Sequence, residues 1–157
     1  HSVGGGMAIT AAAQAGLRER VRAVITVAAQ AFVEEKTREG IRAAKRTFAE
    51  AVHFQRLVRY HGDKASWVLR AWTDVWLSDA FADWSLDEPL SALRCPVFAL
   101  HGDRDEYGSL AFPKRIVDMS AAPARMLVLE RCAHVPHRER PNALLAAIAD
   151  FVESAGV

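Results

Sequence analysis

Apolar and polar positions along the chain alternate between two rhythms. Runs that are apolar at nearly every position lie at residues 21–28 (VRAVITVA), 95–102 (CPVFALHG) and 125–129 (RMLVL). Short continuous apolar runs rich in β-branched residues suit buried strands, so the first predicts an interior strand buried on both faces, the second another buried strand and the third a further strand of a parallel sheet. In the second run Pro96 stands at the entrance and Gly102 at the exit, where a missing amide donor and a tight turn are tolerated. Between the runs the spacing is helical. Residues 5–15, small and alanine-rich, predict a buried helix closed by Gly16. Residues 111–120 predict another, and residues 142–152 (NALLAAIADFV) an amphipathic final helix capped by Asn142. Strands alternating with helices imply an α/β fold, a parallel sheet with helices on both faces.

The middle of the chain breaks this alternation. From residue 34 to residue 93 the pattern is helical throughout, with Phe54, Leu57 and Val58 on one face and Trp72 and Trp76 on another. All four tryptophans fall here, which marks the stretch as a separate helical insert between residues 1–33 and 94–157.

Composition narrows the class without choosing a function. The chain has 157 residues, 51% apolar and 25% charged, enough for a core of single-domain size. Its net charge is +1 with both signs interspersed, so no basic face predicts a nucleic-acid partner. Two cysteines, Cys95 and Cys132, are too few for a disulfide framework and fit a reducing, cytoplasmic setting. No apolar run is long enough to span a bilayer. His53 and His61 have no companion ligand at metal spacing, so neither a metal nor a cofactor is expected. The opening His1-Ser2-Val3-Gly4-Gly5-Gly6, without an initiator Met, reads as a start inside a longer protein.

Three local patterns carry candidate chemistry. Ser2, followed by Gly4 and Gly5 and then by a helical segment, has the form of a nucleophile on a tight strand-to-helix turn. The new helix would aim its first amides at the site, and the Val3 amide is the candidate to stabilise an oxyanion. Asp103 and Asp105 follow the strand that ends at Gly102, at the sheet edge where catalytic groups of α/β folds collect. His134, in Cys132-Ala133-His134-Val135-Pro136-His137, follows the last strand. Serine, aspartate and histidine thus occur in the chain order that α/β architectures use for a nucleophile, an orienting acid and a base.

The segments HSVGGG, PVFALHGDRDEYG and CAHVPHRERPNALLAAIADFV resemble the elbow, acid and histidine segments of the α/β-hydrolase superfamily, serine hydrolase type, along the whole chain. The resemblance implies the C-terminal part of that fold. Its acid maps onto Asp105, three positions after Gly102, and its base onto His134, with Asp103 and His137 as alternates. Ala133 stands where the family has glycine, and the first elbow glycine would precede His1. Residues 34–93 would form a helical cap, in which Trp72 and Trp76 either line an acyl pocket or simply pack the cap. The resemblance implies cleavage of an ester or related acyl bond of a small-molecule substrate through an acyl-enzyme. A non-catalytic ligand-binding member, or an acyltransferase or lyase on the same residues, is the alternative. The strands expected upstream of His1 are absent, so the chain alone is expected to be inactive, with nothing in it to hold Ser2 in place.

Overall fold

The computed structural model describes residues 1–156, which divide into two compact units, His1–Phe32 together with the chain from Ser85 onward, and Val33–Trp84. Residues 85–93 thus lie with the first unit, not with the helical stretch to which their spacing had joined them.

The first unit is built on three parallel strands in the order β1-β2-β3: β1 (Val24–Val27), β2 (Val97–Gly102) and β3 (Ala124–Leu129). Every residue of β2 is buried, because it is the central strand and is covered on both faces. Its register sets Val27 beside Leu100, and Gly102 beside Leu129, so all three strands end at one edge.

Side-chain alternation divides the covering helices between the faces. Ile25, Val27, Phe98 and Leu100 point to the face covered by α8 (Pro141–Ala155), which brings Leu144 and Phe151 to a cluster with Leu129 and Cys132. Thr26, Ala99 and His101 point to the other. There α1 (Val3–Ala13) crosses β1 and α6 (Ala111–Met119) crosses β2 and β3. The glycines of α1 allow this: a Cβ on Gly5 would come within 2.6 Å of the Ala29 Cβ. Short helices α5 (Asp87–Ser91) and α7 (Pro136–Glu139) complete the unit.

The helical unit contains α2 (Glu35–Phe48), α3 (Ala51–His61) and α4 (Ala65–Leu77). Ile41 and Ala44 of α2 and Thr73 and Trp76 of α4 are buried, and Lys45 bonds Asp74 across the two helices at 2.6 Å. Trp76 packs edge-to-face with Phe81 and Trp84. Among the described residues no helix is long and apolar enough to cross a membrane.

Several helix ends differ from the sequence expectation. Helix α1 begins at Val3 and stops at Ala13, with Gln14 in an extended conformation, so Gly16 does not close it. Helix α8 begins one residue before Asn142, with Pro141 in its first turn and Arg140 at the cap position. Proline suits that turn because its missing amide would have had no helical partner. Gly156, at φ 66°, takes the left-handed conformation that ends the helix.

Candidate active site

The carboxyl edge of the sheet carries three loops whose residues meet. Ser2 sits at the head of α1 with φ 52° and ψ −133°, a backbone region that side chains with a Cβ rarely occupy. It is anchored there, contrary to the sequence expectation: its amide donates to the Val27 carbonyl at 2.9 Å, and its own carbonyl accepts from Gly5 at 2.8 Å. Ala28, directly after β1, and Arg131, after β3, also have positive φ, 51° and 52°. Among the described residues, these three non-glycine residues with positive φ lie at the head of α1 and directly after β1 and β3.

His134 joins the other two candidates. Its Nδ1 lies 2.9 Å from both Oδ1 and Oδ2 of Asp105, and its Nε2 lies 2.9 Å from Ser2 Oγ. An ionised carboxylate only accepts, so Nδ1 carries the hydrogen and Nε2 is left as the acceptor facing the serine hydroxyl. Asp105 is 1% exposed and His134 9%. The Tyr107 amide also donates to Oδ1 of Asp105, at 2.8 Å. Val3 follows Ser2 as the first residue of α1, so its amide lies at the N-terminal end of the helix beside the serine.

Asp103 and His137, the alternates, take other parts. Asp103 accepts from the Cys132 amide at 3.1 Å, tying the acid loop to the histidine loop, and this bond holds its carboxyl below the usual carboxylate range. His137 is exposed on α7, with its ring against that of His1. Trp72 and Trp76 lie in α4 of the helical unit, Trp76 within its aromatic cluster and Trp72 one turn earlier on the same helix.

Contacts that the sequence did not foreshadow hold the histidine loop. Glu139 accepts from the Ala133 amide at 2.7 Å and from the Val135 amide at 3.0 Å, and Glu106 accepts from the His134 amide at 3.2 Å. Three consecutive amides are thus satisfied by two carboxylates. His1 hydrogen-bonds the His134 carbonyl through Nε2 at 2.7 Å, and Tyr107 stands edge-on to the His134 ring at 4.8 Å. Gln30 is 6% exposed and its amide nitrogen lies 3.5 Å from Ser2 Oγ. Burial raises the pKa of Tyr107 and of both cysteine thiols.

Gly102 is what lets the two loops come so close. A Cβ there would lie 2.2 Å from the Cys132 carbonyl oxygen and 2.6 Å from that of Ala133, both backbone atoms.

A parallel sheet layered between helices, with serine, aspartate and histidine on successive segments at its carboxyl edge, has the layout of an α/β enzyme fold. The chain belongs to the alpha/beta hydrolase family, which it matches over residues 1–148. No curated protein sequence matches it. Among solved structures it is similar to a membrane phospholipase A described as a novel bacterial virulence factor, at 20% identity and a TM-score of 0.75, covering 99% of this chain and 56% of that one. A serine hydrolase involved in carbazole degradation (CarC) gives 17% identity and a TM-score of 0.70, with 98% and 61% covered. A meta-cleavage product hydrolase from Pseudomonas fluorescens IP01 (CumD) gives 19% and 0.66, with 99% and 63% covered. At these identities the likeness is one of fold, and the chain spans less than two thirds of each protein.

Proposed function

We propose that Ser2, His134 and Asp105 are the nucleophile, base and orienting acid of a serine hydrolase that cleaves an ester or related acyl bond of a small molecule. The observation that carries this reading is the unbroken relay from Ser2 Oγ through the His134 ring to a buried carboxylate. Nothing else about a serine hydroxyl makes it nucleophilic at neutral pH; a base within hydrogen-bond reach does.

The steps follow from the geometry. Nε2 of His134 takes the Ser2 proton as Oγ bonds the acyl carbon, and the carbonyl oxygen becomes an oxyanion beside the Val3 amide. The tetrahedral species collapses as Nε2–H gives its proton to the leaving alkoxide, releasing an alcohol and leaving an acyl ester on Ser2. Water then gives a proton to Nε2 while its oxygen attacks the acyl carbon, and collapse returns that proton to Oγ with release of the acid. Asp105 stays ionised throughout and stabilises the imidazolium.

A second element of the reading concerns the chain itself. Its three strands, and its coverage of 56% to 63% of related folded chains, support low activity for the 157 residues alone. Pre-steady-state hydrolysis of p-nitrophenyl esters tests both elements. The longest polypeptide encoded by the gene is expected to give a burst of nitrophenol that Ser2→Ala abolishes, with the 157-residue chain far slower. Turnover that persists undiminished in Ser2→Ala would end the reading, and equal kcat/KM for the two lengths would end its second element.

A further inference from the structure

Asp105 is 1% exposed, as deeply buried as most of the apolar core, and a carboxylate in that position needs donors on both oxygens. Oδ1 faces the Tyr107 amide at 2.8 Å and His134 Nδ1 at 2.9 Å. Oδ2 faces the same Nδ1 at 2.9 Å and, at 3.3 Å, Nε2 of His101.

His101 belongs to β2, on the face opposite the Phe98 and Leu100 side chains, and is 1% exposed. The strand otherwise runs Val97, Phe98, Ala99, Leu100, so an apolar residue would suit position 101 for packing alone. An imidazole there carries a desolvation cost that a Leu would not. Its ring is fixed by Phe112, edge-on at 6.3 Å, and by the bare backbone of Gly108. A Cβ on Gly108 would approach the Phe112 ring at 2.5 Å and Cε1 of His101 at 3.5 Å. The loop thus leaves just the space that keeps the histidine beside the carboxylate.

We propose that His101 is a positioning residue that holds Oδ2 of Asp105, so that the carboxylate faces His134 squarely. The proposal rests on the serine hydrolase reading above. Nε2 of His101 stands 3.3 Å from Oδ2, a polar contact outside hydrogen-bond geometry that favours this orientation of the carboxylate through the dipole of the buried ring. Rotation of the carboxylate is then opposed on Oδ1 by Tyr107 and on Oδ2 by His101, with His134 between them. When His134 takes the serine proton, the new positive charge meets a partner already oriented, and no reorganisation is needed at that moment.

Reach separates this role from mere core filling. The amide nitrogen of a glutamine can occupy the place of Nε2, whereas that of an asparagine falls short, and leucine fills the space without a donor. In the longest encoded polypeptide, His101→Leu and His101→Asn are expected to lower kcat about tenfold with KM nearly unchanged, the loss of one buried polar contact to a charged group acting in the transition state. His101→Gln is expected to retain most of kcat. In parallel, the proton NMR resonance of His134 Nδ1–H, far downfield in a histidine–carboxylate bond, should move in the Leu and Asn variants and stay in the Gln variant. If the Leu variant does not fold, the Gln and Asn pair decides. Gln and Asn variants alike in kcat and in that resonance would overturn the proposal. The resonance needs no turnover: a wild-type protein without esterase activity would sink the hydrolase reading, while the spectra would still decide whether His101 holds Asp105.

Discussion

The Ser2 amide donates to the Val27 carbonyl at 2.9 Å, so the first turn of α1 is fastened to the last residue of β1. That bond lets a residue with φ 52° persist at the head of a helix, and α1 keeps it in place only as long as the helix lies flat on the strand end. Gly5 is the contact point. Gly5→Val should force α1 away from Ala29, lowering stability by about 1–3 kcal/mol, the usual cost of overpacking. It should also slow acylation of Ser2. Urea denaturation with the midpoint read by circular dichroism checks the first effect; an unchanged midpoint would show that the helix has room the structure does not give it.

Glu139 holds the amides on either side of His134. Removing it by Glu139→Ala leaves two donors without their carboxylate and frees the loop that carries the base. The expected result is a fall in kcat/KM of about tenfold, in line with the loss of charge-assisted bonds, with little change in melting temperature because the carboxylate is exposed. Steady-state kinetics on an ester substrate decide it, and full activity in the variant would show that the loop holds its shape without this clamp.

Asp103 gives the fold one source of acid sensitivity. The Cys132 amide, with that of Arg131, holds its carboxyl below the usual carboxylate range in the folded chain. A folded value below the unfolded one means that the contribution is present above the ordinary carboxylate range and is lost as pH falls through the folded value. Asp103→Asn should therefore show a shallower loss of melting temperature below about pH 4 than the wild type. Differential scanning fluorimetry across pH 2–7 provides the comparison, and parallel curves would contradict it.

The sheet was legible because interior parallel strands are apolar at every position: Val97 to Leu100 can be read as a strand with no tertiary knowledge. Ser2, Asp105 and His134 were legible because each directly borders such a strand or its helix and because their order along the chain is restrictive. The anchoring of Ser2 was not, since the Val27 carbonyl becomes its partner only when α1 crosses β1. Gln30, Glu139 and His101 were invisible for a related reason. Glutamine after a strand, glutamate in a charged stretch and histidine at a strand end are each ordinary until the loops fold over one another. The end of β1 was overextended in the sequence reading because Ala28 looks like a strand residue, yet its φ of 51° turns the chain. The start of α8 fell to Pro141 rather than Asn142, since a proline before a helical run can open it as well as a polar cap can.

The proposed chemistry stands or falls with Ser2 as a nucleophile activated by His134. The most direct test is treatment of the longest encoded polypeptide with a fluorophosphonate, followed by mass spectrometry of the peptide containing Ser2. A single phosphonylated residue, Ser2, is expected, with labelling abolished by Ser2→Ala and slowed at least about a thousandfold by His134→Ala, as when one member of a relay is removed. A folded protein that stays unlabelled, or labels at the wild-type rate without His134, would contradict it.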